Sequence, residues 1–144
     1  VIKVLDPIWK KSRGEVLAHK EDAKMLFNVC KHSEFVTNVC SSTVFDFVVH
    51  NKPCIYYNYE QPQLEKGIRD IGQNYKYVHF RSMPNENAVV FCTDKNELES
   101  LVLAILKGEK SNLEIGLKWF DIVAGKTPTA SSNNIWKAIG TVLN

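Results

Sequence analysis

A short polar run in the first third of the chain carries the side chains best suited to hold an anionic ligand. Ser41, Ser42 and Thr43 place three hydroxyls in a row, and Asp46 and His50 follow at helical spacing. Ser42, Asp46 and His50 lie four residues apart between apolar positions, so they form one stripe along a helix. A helix that begins at these hydroxyls offers unpaired backbone N–H groups and the positive end of its dipole.

This pattern predicts a diphosphate site that needs no lysine, because hydroxyls and helix N–H groups supply the hydrogen bonds. A carboxylate at Asp46, one turn further along, is placed to accept hydrogen bonds from the two hydroxyls of a ribose. Two other interpretations stay open. In the first, Ser41 and Ser42 only cap the helix, while Asp46 and His50 face water. In the second, Ser42, Asp46 and His50 form a hydrolase triad, although the G-x-S-x-G elbow is absent and no oxyanion hole is obvious.

The residues around this run predict a βαβ unit that places it at the end of a strand. The segment EFVTNVC predicts the first strand, VFDFVVH the short helix, and CIYYNY the second strand. Pro53 excludes helix at Lys52 and so separates the helix from the second strand. In open α/β sheets, ligands bind at turns that follow the carboxyl ends of parallel strands.

Strand and helix patterns alternate along the rest of the chain. Further strands are predicted at VIKVL, EVLAH, YVHF and AVVFC, and a long loop with one helical turn at residues 60–75. Further helices are predicted at KEDAKMLFNVCKHSE, after Asp94, at NLEIGLKWFDIVAG and at PTASSNNIWKAIGTVLN. Asp94 and Glu97 have the spacing of a capping box. This alternation predicts an α/β protein with a mainly parallel sheet, built as a three-layer α/β/α Rossmann-like domain.

Composition limits the function classes that fit. The 144 residues suit one domain, and the formal net charge of +2 is spread along the chain, which argues against a nucleic-acid or polybasic membrane surface. No apolar run reaches the roughly 18 residues of a membrane span. The four cysteines lack metal-ligand spacing, which predicts free thiols in a reducing, cytoplasmic compartment. The chain opens as though inside a strand, which suggests a fragment of a longer protein.

The run FVTNVCSSTVFDFVVHNKPCIYY resembles the carboxyl-terminal half of GT-B-fold glycosyltransferases. It is most similar to bacterial CDP-glycerol glycerophosphotransferase-like and capsule-type enzymes, whose pattern is a strand, (T/D)-x-x-S-S, a helix with an acidic residue, and xKPxIxY. The resemblance extends loosely from about residue 16 to the end, through YKYVHFRSM, AVVFCTDKNELESLV and AGKTPTASSNNIWKAI. Asn38 departs from this pattern, since the most similar relatives often carry aspartate there.

The resemblance implies specific roles for residues of this chain. Ser41, Ser42 and Thr43 would bind the diphosphate of the donor, and Asp46 would contact ribose or sugar hydroxyls. The cations His79 and Arg81, and more weakly Arg69, would border the donor pocket, where positive charge neutralises the leaving diphosphate. No acidic pair for a metal is visible, and this family usually needs neither a metal nor another cofactor.

The resemblance also implies an activity and partners. Residues 1–144 would be the nucleotide-sugar (donor) binding domain of a transferase that moves a sugar or glycerophosphate from a UDP-, CDP- or GDP-linked donor to an acceptor hydroxyl. The acceptor site and general base would belong to an amino-terminal domain missing from this chain, which alone would be inactive. The full-length enzyme would be cytoplasmic, with peripheral association at the inner face of the membrane compatible with this reading. A sugar-nucleotide epimerase of the same fold and a non-catalytic α/β binding module are the alternatives.

Overall fold

The computed structural model describes residues 2–12, 15–60, 71–126 and 130–143. The strands are Lys10–Ser12 (β1), Glu15–Leu17 (β2), Val36–Asn38 (β3), Cys54–Tyr57 (β4) and Val90–Cys92 (β5). The helices are Lys20–His32 (α1), Thr43–Val48 (α2), Ile71–Asn74 (α3), Val78–Arg81 (α4), Leu98–Leu106 (α5), Leu113–Ala124 (α6) and Ser131–Leu143 (α7). Single turns of 3-10 helix at Glu86–Ala88 and Lys95–Glu97 lead into β5 and α5.

A parallel sheet of three strands, in the order β3–β4–β5, forms the centre of the fold. Val36 lies opposite Cys54 in the first pair, and Ile55 lies opposite Val90 in the second. β1 and β2 form a separate antiparallel hairpin. Parallel neighbours need a crossover connection, which α2 supplies between β3 and β4. The predicted α/β class and mainly parallel sheet are therefore confirmed, and the arrangement is compatible with a Rossmann-like fold.

The side chains of β4 enter two separate hydrophobic clusters, because successive residues of a strand face opposite sides of the sheet. Cys54 and Tyr56 belong to the larger cluster, and Ile55 belongs to the smaller one with the α5 residues Leu101 and Ile105. The buried residues of the larger cluster are Val44, Val48, Cys54, Tyr56, Phe80, Ala88, Val89 and Trp119. Both faces of β4 are covered, which explains why its sequence shows no alternation of polar and apolar residues.

The helix after β5 begins where the sequence predicts. Asp94 Oδ1 accepts the backbone N–H of Asn96 at 2.7 Å, and Glu97 Oε1 accepts the backbone N–H of Asp94 at 3.2 Å. The Asp94 side chain also accepts the Glu97 backbone N–H, and this bond together with the bond from Asp94 N–H to Glu97 forms the predicted capping box. A 3-10 turn is inserted before α5, so the α-helix itself begins only at Leu98.

Two predicted strands are wrong. Residues 2–5 of VIKVL belong to neither strand nor helix, and the side chains of Ile2 and Val4 are 94% and 79% exposed, so they have no face to bury. Residue 1 lies outside the described ranges. The segment YVHF forms the single turn α4, closed by a hydrogen bond from Arg81 N–H to the Tyr77 carbonyl at 3.1 Å. Phe80 is buried whereas Val78 is 72% exposed, so the segment anchors one side chain and does not line a sheet.

The amino-terminal arm is tied to α1 by one carboxylate. Asp22 accepts the backbone N–H groups of Ile8 at 2.6 Å, Trp9 at 3.2 Å and His19 at 2.6 Å. At the other end of the chain, α7 carries apolar side chains that remain exposed, among them Trp136 at 71%. Within the described ranges, no helix has the length and apolar character needed to cross a membrane.

Candidate functional site

The predicted hydroxyl cluster lies at the carboxyl edge of the parallel sheet, where β3 ends. We call residues 39–42, between β3 and α2, the serine turn. Its backbone bends through a left-handed conformation at Cys40, with φ of 35°. Non-glycine residues seldom occupy this region, because the Cβ atom crowds the following carbonyl oxygen. Contacts around the turn must therefore stabilise this backbone conformation at Cys40.

Side chains from two strands bind the backbone of Ser41. The Ser41 N–H donates to Asn38 Oδ1 at 3.3 Å, and the Ser41 carbonyl accepts the phenolic O–H of Tyr56 at 2.5 Å. Asn38 Nδ2 in turn lies 3.7 Å from the Cys54 thiol sulfur, to which it donates. Tyr56 is fully buried. Hydrogen bonds to the backbone N–H and to the backbone carbonyl of Ser41 thus attach the serine turn to the sheet.

The three hydroxyls of the cluster have different surroundings. Ser41 Oγ lies 2.7 Å from Thr43 Oγ1 and accepts the Thr43 N–H at 3.2 Å, so both side chains support the turn. Ser42 occupies the N-cap position of α2, but its side chain makes no capping hydrogen bond. Ser42 is exposed, and among the described residues no partner accepts its backbone N–H. The serine turn therefore presents the hydroxyl and amide of Ser42 to solvent, where they can meet a ligand.

Asp46 and His50 lie further along α2, on the side that faces α1. Asp46 is exposed, and partial desolvation raises the pKa of its carboxyl group, with the nearby His50 opposing this shift. The Asp46 charge in turn adds to the burial that raises the pKa of the Cys30 thiol in α1. His50 Nδ1 donates to the Asp46 backbone carbonyl at 2.8 Å, and its ring packs edge-on against Phe27 with 5.2 Å between ring centroids.

These contacts bear on the alternative of a hydrolase triad. In the described parts of the chain, His50 bonds to the Asp46 backbone and not to the Asp46 carboxylate. Ser42 makes no side-chain hydrogen bond to either residue. A triad requires a base bonded to the nucleophile and to an orienting carboxylate. Among the described contacts, Ser42, Asp46 and His50 therefore do not form the hydrogen bonds of such a triad.

An aromatic wall borders the serine turn. The rings of Tyr56 and Tyr75 contact each other, and each also contacts Phe80 and Phe91, with centroid distances of 5.5 to 6.2 Å. Tyr75 donates its phenolic O–H to the Tyr57 carbonyl at 2.7 Å. Burial raises the pKa of both Tyr56 and Tyr75 above the ordinary tyrosine value, so both phenols stay protonated donors at neutral pH. The wall joins the end of β4 to the turn and to α4.

The candidate cations lie on α4, not on a strand. Arg81 is exposed, and the buried Phe80 beside it contacts Tyr56 at 6.2 Å between ring centroids. His79 belongs to the same helical turn by its backbone. Among the described contacts, no hydrogen bond or ion pair joins Arg81 to the serine turn. Arg69 falls in the range 61–70, outside the described residues.

Sequence reasoning did not identify Tyr56 and Tyr75, and it noted Asn38 only as a departure from a pattern. Their roles depend on neighbours in space: residue 38 lies opposite residue 56 across the β3–β4 pair. A polar residue at the end of a predicted strand, directly before a turn, was the one available signal for Asn38. Tyr56 sits in an apolar run and offers no such signal.

The cysteines are free, as predicted, and three of them are buried: Cys30, Cys54 and Cys92. Burial raises the pKa of the Cys54 thiol to about 12, so this thiol is neutral at physiological pH. Among the residues that the structure describes, no group of three or more His, Cys, Asp or Glu side chains is arranged to hold a metal ion.

Comparison of the chain with protein-family models, with curated proteins and with solved structures found no match in any of the three.

Proposed function

We propose that this chain is the donor-binding part of a transferase that moves a sugar or a glycerophosphate from a nucleotide-activated donor to an acceptor hydroxyl. The observation that carries the proposal is the position of the serine turn at the carboxyl edge of a parallel sheet, with Ser42 exposed and its side chain making no capping hydrogen bond. Ligands of open α/β sheets bind at this edge. The resemblance of residues 37–57 to the donor-binding half of GT-B enzymes supports the same assignment.

In this proposal each hydroxyl residue has a defined task. The Ser42 N–H and hydroxyl donate to the donor diphosphate, aided by the N-terminal partial charge of α2. Ser41 and Thr43 shape the turn through their mutual hydrogen bond, and the Thr43 hydroxyl completes the phosphate contacts. Asp46, one turn along α2, accepts hydrogen bonds from ribose or sugar hydroxyls. Arg81, exposed on α4, supplies positive charge near the leaving diphosphate.

The reaction is a displacement at the donor. An acceptor hydroxyl attacks the anomeric carbon of a sugar donor, or the phosphorus of a glycerophosphate donor, and loses its proton to a general base. The bond to the nucleotide breaks at the same centre, and the nucleotide leaves with the negative charge. In this proposal the present domain is one three-layer half of a GT-B enzyme and holds that leaving group. The amino-terminal domain would contribute most of the acceptor site and the general base.

The experiment that tests the proposal is a thermal-shift panel on this chain. The ligands are CDP, UDP and GDP, the matching nucleosides without phosphate, and inorganic pyrophosphate. A nucleoside diphosphate at 100 times its dissociation constant adds about 2.7 kcal/mol to the free energy of unfolding, a shift of roughly 5–10 °C for a chain of this size. One base should give the largest shift, and its nucleoside should give less.

A flat panel, confirmed by equilibrium dialysis with radiolabelled CDP and UDP, would contradict the proposal for this chain. One observation favours the non-catalytic module as the second candidate: the hydroxyls of Ser41 and Thr43 are already used within the turn. Absence of nucleotide binding would therefore leave this second candidate as the better description.

A further inference from the structure

Asn38 and Tyr56 lie directly opposite each other in the β3–β4 pair. Side chains of register partners project from the same face of a sheet, so both point toward α2. Both contact one residue: Asn38 Oδ1 accepts the Ser41 N–H at 3.3 Å, and Tyr56 O–H donates to the Ser41 carbonyl at 2.5 Å. Two adjacent strands therefore bind the two polar backbone groups of the same turn residue.

The serine turn needs such support for two physical reasons. Cys40, directly before Ser41, is held at φ of 35°, which costs about 1–2 kcal/mol for a residue with a Cβ atom. α2 has only six residues, and an isolated helix of that length is not stable in water. The conformation at residues 40 and 41 therefore has to be imposed by contacts from the sheet.

We infer that Asn38 and Tyr56 are positioning residues that fix the serine turn in the conformation in which Ser42 faces outward. Neither is expected to touch the donor, since Tyr56 is fully buried and Asn38 is occupied by Ser41 and Cys54. For donor binding, this inference rests on the proposed function. For the conformation of the turn it does not, because the hydrogen bonds from Asn38 and Tyr56 to Ser41 lie within the chain itself.

The test is residue-resolved amide hydrogen exchange, followed by NMR, on the 144-residue chain. Tyr56→Phe keeps the buried ring and removes only the hydroxyl, and Asn38→Ala removes the acceptor for the Ser41 N–H. Loss of either bond should make the Ser41 amide exchange about fivefold faster, the factor that corresponds to a net hydrogen bond of about 1 kcal/mol. Asn38→Asp retains an acceptor oxygen, so its Ser41 amide should exchange as slowly as in the wild type.

The matched control is Ser82→Ala. It removes a hydrogen bond of 2.9 Å from Trp119 Nε1, and Trp119 belongs to the same hydrophobic cluster as Tyr56. This variant should leave the Ser41 amide unchanged. Unaltered Ser41 exchange in both Tyr56→Phe and Asn38→Ala would overturn the inference. Equal acceleration in Ser82→Ala would also overturn it, because the effect would then be general loosening of the cluster.

A second measurement separates this inference from the proposed function. Isothermal titration with CDP and UDP should show about fivefold weaker binding by Tyr56→Phe and no change by Ser82→Ala. If the wild-type chain binds neither nucleotide, the proposed function fails, and hydrogen exchange alone still decides whether the pair fixes the turn. If Tyr56→Phe speeds exchange but binds nucleotide with wild-type affinity, the pair does not position the ligand site.

Discussion

The carboxamide oxygen of Asn112 accepts the backbone N–H of Cys54 at 2.9 Å, although the two residues are 58 positions apart in the chain. The other end of the same side chain donates to the Ala88 carbonyl at 2.8 Å. Asn112 is 2% exposed, so both bonds are sheltered from water. One side chain therefore joins the start of β4, the turn before β5 and the start of α6.

Replacing Asn112 by alanine should destabilise the fold by about 2–5 kcal/mol. The substitution leaves a buried N–H at Cys54 and a buried carbonyl at Ala88 without partners, and each such group costs about 1–3 kcal/mol. Urea unfolding measures the loss as a lower midpoint at constant slope. Asn134→Ala, on the exposed face of α7, is the matched control and should change the free energy of unfolding by less than about 0.5 kcal/mol. Similar losses of unfolding free energy in both variants would show that the two buried hydrogen bonds of Asn112 do not stabilise the fold.

Gly116→Ala should destabilise the protein even though alanine favours helix. A Cβ atom at Gly116 would lie 2.9 Å from Val48 Cγ1 and 3.0 Å from Asn112 Nδ2, both in a packed interior. Overpacking of this kind costs about 1–3 kcal/mol, more than the helix gain of about 1 kcal/mol. Gly140→Ala in α7 meets nothing within 4 Å and should instead stabilise by up to about 1 kcal/mol. The two free energies of unfolding should change in opposite directions, and changes of equal sign would contradict the close packing of α6 on α2.

The sequence predicted those elements of the fold that depend on residues close together in the chain. The βαβ unit around the serine turn follows from Pro53 and from the apolar runs on either side of α2, and the capping box at Asp94 follows from three-residue spacing. What the sequence could not provide were contacts between distant segments, such as Asn112 with Cys54 or Asn38 opposite Tyr56. The strand predicted at YVHF was wrong for the same reason. The buried side chain of Phe80 anchors α4, and no local pattern in the sequence indicates that contact.

The left-handed conformation at Cys40 predicts an order of stability among its variants. Glycine adopts φ of 35° without steric cost, alanine pays for its Cβ atom, and valine, branched at Cβ, is worst. We expect the free energy of unfolding to fall in the order Cys40→Gly, Cys40→Ala, Cys40→Val. The first and last should differ by at least about 1 kcal/mol. A valine variant as stable as the glycine variant would mean that the turn adopts another backbone conformation in solution.

The hydrogen bonds from the amino-terminal arm to the Asp22 carboxylate should weaken when that group is protonated at acidic pH. The backbone N–H of Ile8 is the main cause that lowers the pKa of the Asp22 carboxyl, with smaller contributions from His19 and Trp9 opposed by desolvation. Because the folded pKa lies below the unfolded value, the carboxylate contributes stability above about pH 4 and loses it as the pH falls through the folded pKa.

The melting-temperature difference between wild type and Asp22→Asn should therefore be largest at neutral pH and shrink as the pH falls below about 4. Asp121→Asn, an exposed carboxylate change on α6, controls for the loss of one negative charge. Amide NMR signals of Ile8 and Trp9 should shift over the same acidic range in the wild type. A difference that stays constant with pH would show that Asp22 acts through packing and not through its charge.

Two substitutions on α2 separate ligand binding from folding. Ser42→Ala removes an exposed hydroxyl that makes no capping bond, so it should leave the free energy of unfolding within about 0.5 kcal/mol of the wild type. Its affinity for the nucleoside diphosphate should fall by roughly tenfold, because bonds to a charged group are worth about 1.5–3 kcal/mol. Asp46→Asn should weaken binding of the nucleoside diphosphate but leave binding of pyrophosphate unchanged, since its contact is to the ribose or sugar hydroxyls. Calorimetric titration with both ligands gives the comparison. If Asp46→Asn unfolds the chain while affinity is kept in the folded fraction, Asp46 is a structural residue and the ribose assignment is wrong.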